Sequence, residues 1–272
     1  MCVLILGATS PIAKAVADTY AQKHFDIALA ARDLNSAQIL AQDLQIRYGI
    51  KTKAFAFDAL SLDQHQTLIN EVADHFGRID IALLAFAEMK DQNQAQADLK
   101  IAKRMIDINY TGSVSVCELL AQKMIDQGTE SGAKLGIESE AGKAQEQGTQ
   151  KTLGVERPAI IVISSVAGEK GRKSNYIYGS TKGALTIYLQ GLRNRLHTHH
   201  IQVLTAILGF VDTPMTYGLQ TPIPIATPEN TAKAIFEAQQ AGKDLLYYPL
   251  FWRGIMTVIK ALPEWVFKRT SI

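Results

Sequence analysis

The sequence predicts an α/β fold, a single doubly wound domain in which a seven-stranded parallel sheet is flanked by helices. Three observations predict it. Short runs rich in β-formers alternate with longer segments whose apolar residues recur at helical spacing. A glycine-containing turn follows the first of those runs directly. Repeated strand-helix-strand order requires right-handed crossovers, which lay successive strands parallel. The 272 residues suffice for one such domain, and a 47% hydrophobic, 20% charged composition supplies its core.

Strands are expected at 2–6, 26–31, 53–57, 79–85, 159–164, 202–207 and 244–248. Ile12, Val16 and Tyr20 mark the apolar face of the first helix, and Leu68, Val72 and Phe76 that of the third. Ser10 before Pro11, and Thr227 before Pro228, each pair an N-cap acceptor with a proline at the first helical position, where its missing N–H costs nothing. Ser61 followed by Gln64 reads as a capping box. Residues 127–157, rich in Gly, Glu, Gln, Lys and Ser and without aromatics, read as a flexible insertion on the side opposite the ligand crevice. The domain then spans 1–248, and 249–272 form an amphipathic helical tail.

A net charge of +2 without a compact basic run argues against nucleic-acid binding and leaves small molecules as the expected partners. Cys2 and Cys117 are the two cysteines, so neither a disulfide framework nor a thiolate metal cluster is expected, and no metal site is assigned. With the first strand starting at residue 2, no secretory leader is expected. Arg253, Lys260 and Glu264 interrupt the most hydrophobic stretch, leaving no span long enough for a bilayer. The expected location is the cytoplasm, with attachment to the inner face of the membrane as the further option.

The first turn, in VLILGATSPIAKAVA, lies at the carboxyl end of a strand and opens a helix, where a dinucleotide pyrophosphate can meet helix amides. Gly7 permits the turn; Pro11 removes one amide donor, so Ile12 and the side chains of Thr9 and Ser10 must do more. An ordinary strand-to-helix turn has the same composition. At the end of the second strand, Ala31 stands where a ribose-binding carboxylate would select NAD, and Arg32 offers a planar fork of donors to a 2′-phosphate. NADP(H) is therefore expected ahead of NAD, with a plain surface arginine as the alternative. Asp58, ending the third strand, is placed either to accept from an adenine amino group or to cap the next turn.

In ISSVAGEKGRKSNYIYGSTKGA, Tyr178 and Lys182 stand four apart on one helix face, and Ser165 ends the preceding strand. A phenol is a sluggish base near neutral pH, and an adjacent ammonium stabilises its phenolate; Lys182 can supply that charge and also hold the nicotinamide ribose. Ser165 can donate to a carbonyl oxygen on which charge grows as hydride arrives.

Taken in order, these residues resemble the short-chain dehydrogenase/reductase family over nearly the whole chain, and the fold this implies is Rossmann-type. The family pattern has Ser thirteen residues before the catalytic Tyr and Lys at the fourth position after it, as Ser165, Tyr178 and Lys182 stand here. The resemblance picks Ser165 over Ser164. It makes Asn109 of DINYTG the residue that helps position Lys182, although by itself Asn109 could equally kink a helix. It also implies that Val211 and Thr213 of ILGFVDTP contact the nicotinamide carboxamide. The chain departs from the family at Pro11 and Ala13 in the first turn, at Leu208 for a proline, and at Ala85-Phe86-Ala87-Glu88 for Asn-Asn-Ala-Gly.

The implied activity is NADP(H)-dependent interconversion of a carbonyl and an alcohol by a homodimer or homotetramer, with Tyr178 as general acid and base. A catalytically silent NADP-binding sensor or scaffold is the alternative. A nucleotide-sugar epimerase or dehydratase is disfavoured, since too little chain follows the seventh strand for a sugar domain. Residues 210–227 read as the substrate-covering loop, whose composition points to a mainly apolar pocket and a hydrophobic ketone or alcohol. In the tail, Trp252, Ile255, Met256, Ile259 and Val266 form an apolar face opposite Arg253, Thr257, Lys260 and Glu264, with Pro263 ending or kinking the helix. That face can pack on the protein's own core, on a partner subunit or, helped by Lys268 and Arg269, on a membrane surface. The tail resembles that of bacterial reductases acting on lipid-linked substrates.

Overall fold

The computed structural model describes residues 1–134, 157–218, 221 and 223–270. Seven strands, β1 (Cys2–Leu6), β2 (Asp26–Ala31), β3 (Thr52–Ala56), β4 (Ile81–Leu84), β5 (Ala159–Ser165), β6 (Gln202–Leu208) and β7 (Leu245–Tyr248), form one parallel sheet in the order β3-β2-β1-β4-β5-β6-β7. β1 and β6 are buried along their whole length, as parallel strands covered on both faces must be. The strand order reverses between β1 and β4, so the crevice for a ligand opens at their carboxyl ends.

On one face of the sheet pack α1 (Pro11–Ala21), α2 (Leu34–Tyr48) and α8 (Pro228–Gln240). On the other pack α3 (His65–Phe76), α6 (Gly112–Lys134) and α7 (Tyr176–His197). Two short helices, α4 (Gln92–Ala97) and α5 (Leu99–Ile106), lead from β4 into a π-helical segment at Asp107–Thr111, which runs straight into α6. Helices α9 (Phe251–Ala261) and α10 (Glu264–Phe267) follow β7, with Pro263 at the break between them.

The caps form as expected at two sites. The Ser10 hydroxyl accepts from Ala13 N at 3.2 Å, and that of Thr227 from Asn230 N at 3.2 Å. The Ser61 capping box does not form. The turn there is 3₁₀, and Gln64 N bonds the Ser61 carbonyl at 2.9 Å, leaving no amide at the spacing its hydroxyl would need.

A second correction concerns the start of the insertion. Residues 127–134 continue α6, and Gln127 bonds both Ile79 N at 3.0 Å and Ile79 O at 2.9 Å. That pair fixes this part of the helix beside the amino end of β4, away from the crevice. The rest of the expected insertion, 135–156, lies outside the described residues.

In the tail, Trp252, Met256, Ile259 and Phe267 are buried against Val166 and Ile207. Ion pairs Lys260–Glu169 and Lys170–Glu264, both 3.1 Å, tie it to the segment after β5. Its apolar face thus packs on the protein's own core. No helix among the described residues is long and apolar enough to cross a membrane.

Candidate active site

Two adjoining cavities, of about 820 and 600 Å³, occupy the crevice beyond the strand ends and share Ile12, Ile163, Tyr178, Thr213 and Met215. The larger is bounded by the β1 turn and by the ends of β2 and β3. Gly7 has φ +80°, and a Cβ there would lie 2.8 Å from Phe86 N, so the turn needs glycine both for its backbone and for the close passage of the chain after β4. Within the first turn of α1, Pro11 has no donor and the amide of Ala13 is taken by Ser10, which leaves Ile12, a lining residue of the cavity, as the next amide of the turn.

Thr9, Ser10, Arg32 and Asp58 line the same cavity. Arg32 is exposed, with no ion pair among the described residues. Asp33 lines the cavity too, but its carboxylate caps α2, accepting from Ser36 N at 3.0 Å and from Ser36 Oγ at 2.6 Å, and these bonds hold its pKa below the usual range. Asp58 Oδ1 accepts from Leu60 N at 3.0 Å, so it caps its own turn while bordering the pocket. Phe57 and Phe86, 5.0 Å apart between ring centroids, add an aromatic wall that sequence reasoning did not assign.

Tyr178 and Lys182 are brought to this crevice by α7, which lies unusually close to the turn after β5. Added Cβ atoms at Gly179 and Gly183 would meet Ala167 O at 2.5 Å and Gly168 O at 2.8 Å. That contact sets Ser165, at the end of β5, beside Tyr178: Ser165 Oγ accepts from Ala167 N at 3.1 Å, and a hydrogen bond from Ser165 to the phenol oxygen draws the phenol's pKa down. Ser164 points the other way, bonded to Thr186 Oγ1 at 2.7 Å within the core, so strand alternation separates the two serines.

Lys182 is buried, and its Nζ donates to Ile163 O at 2.9 Å and stands 6.0 Å from the Tyr178 ring centroid. Burial dominates both groups. It pushes the phenol up to about 12 and the ammonium down to about 8. The lowering of the phenol expected from its lysine neighbour is not what the structure shows: the lowering comes from Ser165, and desolvation outweighs it.

Asn109 is fully buried inside the π-helical segment. Its Oδ1 accepts from Glu88 N at 2.7 Å, while its Nδ2 donates to Glu88 O at 2.8 Å and to Thr181 Oγ1 at 3.1 Å. It therefore fastens the turn after β4 to α7 at the residue before Lys182. Val211 and Thr213 follow β6: Val211 is buried and bridges to Ala226, and Thr213 borders both cavities. The smaller cavity is lined by Ser165, Tyr178, Phe210 and Tyr217. Its remaining wall, from α4 and the segment before α7, carries Gln92, Arg172 and Asn175, which the sequence reading passed over.

The chain matches the family model described as short chain dehydrogenase over residues 1–151 and 149–223. It is 31% identical over 242 residues to an uncharacterised oxidoreductase of Mycobacterium tuberculosis, covering 89% of this chain and 86% of that one. It is 25% identical to the human 3-oxoacyl-[acyl-carrier-protein] reductase, covering 79% of this chain and 78% of that protein. Among solved structures, a short-chain dehydrogenase from Sphingobium yanoikuyae in complex with NADPH superposes with a TM-score of 0.74 at 21% identity, covering 97% of this chain and 96% of that one. An actinorhodin polyketide ketoreductase with NADPH superposes with a TM-score of 0.73 at 17% identity, covering 91% and 95% respectively.

Proposed function

The chain belongs to the short-chain dehydrogenase family, and from that membership we propose that it is an NADP(H)-dependent oxidoreductase interconverting a carbonyl and an alcohol. The observation that carries the reading is the convergence of Ser165, Tyr178 and Lys182 where two cavities meet.

The larger cavity suits an NADP dinucleotide in volume and in donor chemistry. The Ile12 amide and the hydroxyls of Thr9 and Ser10 would meet the pyrophosphate, Asp58 the adenine, and Val211 and Thr213 the nicotinamide carboxamide. Arg32, unpaired while Asp33 is committed to capping α2, would hold the 2′-phosphate. The NADPH-bound relatives of this fold support the same choice.

When bound, NADPH supplies the hydride. Ser165 donates a hydrogen bond to the substrate's carbonyl oxygen, where negative charge develops, and the Tyr178 hydroxyl delivers its proton to that oxygen as the alcohol forms. A phenol near 12 holds this proton securely at neutral pH, which suits a donor. In the oxidative direction Tyr178 must accept it, with Lys182 supplying the nearby positive charge. Asn109 acts as a positioning residue by fixing Thr181 and the turn at Glu88.

The apolar side of the smaller cavity, at Phe210, Met215 and Tyr217, favours a bulky hydrophobic substrate, lipid-linked ones included. The outer face of α9 and α10 supports contact with the inner surface of a cytoplasmic membrane: Phe251, Val258 and Trp265 are exposed beside Arg253, Lys268 and Arg269. Tyr178→Phe is expected to lower carbonyl-dependent NADPH oxidation by at least about a hundredfold while NADPH still binds. Full turnover in that variant would sink the assignment.

A further inference from the structure

The wall of the smaller cavity facing away from the cofactor crevice is built from two segments far apart in sequence. Gln92 opens α4, and its Oε1 accepts from Ile177 N in the first turn of α7 at 3.1 Å. Tyr176 OH donates to Gln96 Oε1 at 3.0 Å, a second tie between the same two helices. Arg172 and Asn175 close a turn before α7, with Asn175 N bonded to Arg172 O at 3.1 Å. All three side chains border the cavity that holds Ser165 and Tyr178.

Each of them carries a buried polar atom with no hydrogen-bond partner: Gln92 Nε2, Arg172 Nε and Asn175 Oδ1. Native structures leave few such atoms, and three on one wall call for a common explanation. Arg172 has no ion pair among the described residues, and burial alone pulls its guanidinium pKa below the usual value. A half-buried guanidinium cannot shed its charge, so it needs a counter-ion. The neighbouring carboxylates are committed elsewhere: Asp91 caps α4, accepting from Gln94 N at 3.0 Å, and Glu88 pairs with Arg104 at 3.1 Å. Lys90, on the same rim, adds a second positive charge.

We propose that this wall is an anion subsite of the substrate pocket, and that the substrate joins its reducible carbonyl to a carboxylate or phosphate group held by Arg172 and Gln92. This rests on the oxidoreductase function proposed above and narrows its substrate class: an apolar body against Phe210 and Tyr217, with one oxyanion on the opposite wall. The planar guanidinium fork matches either oxyanion, and the Gln92 amide supplies a further donor. The Asn175 amide completes the set with its N–H₂ turned inward, an orientation its side chain reaches by rotation of the amide.

The test uses matched ketones: para-acetylbenzoate against its methyl ester, and para-acetylphenyl phosphate against para-methoxyacetophenone. Each is measured for NADPH-dependent reduction and, by calorimetry, for binding to the protein. Wild type is expected to prefer at least one anionic member by about tenfold or more in kcat/KM and in affinity. Which pair shows the preference separates carboxylate from phosphate. Arg172→Gln should erase that preference while changing reduction of the neutral ketones by less than about twofold, and Arg172→Lys should restore part of it. Equal handling of both members of both pairs by wild type, or an Arg172→Gln loss that falls equally on neutral and anionic ketones, overturns the subsite. Absent turnover of every ketone, with NADPH failing to bind, instead overturns the oxidoreductase function; the calorimetric comparison of wild type with Arg172→Gln still decides the subsite.

Discussion

Tyr178 and Lys182 are displaced in opposite directions by the same burial, the phenol up to about 12 and the ammonium down to about 8. The lysine is therefore the group of the pair that titrates just above neutrality. Below about 8 it is charged; above, it is lost as a cation. The pH profile of kcat/KM for ketone reduction is expected to fall through about 8, since that parameter reports the free enzyme. Lys182→Arg, whose charge does not titrate in this range, should remove the falling limb even at a lower absolute rate. A limb unmoved in that variant would mean another group controls it. Arg32 carries a second expectation: Arg32→Ser should weaken NADPH binding by about tenfold or more while leaving NADH binding nearly unchanged, measured by titration. Ser165, Tyr178 and Lys182 were legible in the sequence because one strand, one turn and one helix fix their spacing. Gln92 and Arg172 were not. Their meeting depends on a contact between segments whose anchoring bond spans 85 residues.

At the scale of elements, local patterns were read correctly where the backbone settled the outcome alone, as in the proline-marked helix starts at Ser10 and Thr227. They misled where packing chose between local alternatives. The run after Gln127 has the composition of a loop, yet it continues α6 as far as Lys134, with Gln127 itself bonded twice to Ile79. Likewise, nothing in DINYTG announces a π-helical segment. It forms where Asn109 must reach both Glu88 and Thr181. Asn109→Leu would leave the partly buried Glu88 N–H and C=O without their side-chain partner, at a cost of about 2 kcal/mol in stability, measurable by denaturant unfolding. Asn109→Asp keeps the acceptor for Glu88 N and should retain more of the stability than Leu while still impairing turnover. The close approach of α7 to the Ser165 turn gives a sharper expectation. Gly183→Val would force the helix off Gly168 O, which stands 2.8 Å from the position of an added Cβ. Turnover should fall while NADPH affinity changes less, because the displaced contact orients Ser165 and Tyr178 rather than the β1 turn.

Over the whole molecule, although the strand order and its switch point come from the structure, a seven-stranded parallel sheet was predictable from strand-helix alternation. The fate of the tail was not, because an amphipathic helix has the same sequence signature whether it covers its own core or a foreign surface. The structure gives the tail one buried side and one exposed side. Trp252, Met256, Ile259 and Phe267 fill the core beside Val166, whereas Phe251, Val258 and Trp265 are 40%, 64% and 62% exposed on the outside. The cations nearest that outer face, Arg253, Lys268 and Arg269, have no ion pairs among the described residues, while Lys260 is held by Glu169. An apolar strip with unpaired cations along it is the pattern that binds anionic lipid surfaces. The protein is therefore expected to sediment with phosphatidylglycerol vesicles but much less with phosphatidylcholine ones, and raised salt should weaken the association. Replacing Phe251 and Trp265 together by serine should abolish sedimentation yet leave reduction of a water-soluble ketone unchanged, since neither residue borders the crevice. Failure to sediment with either lipid would exclude the membrane contact, and a doubled mass in solution that the serine pair returns to the monomer value would assign the same face to a second copy of the chain.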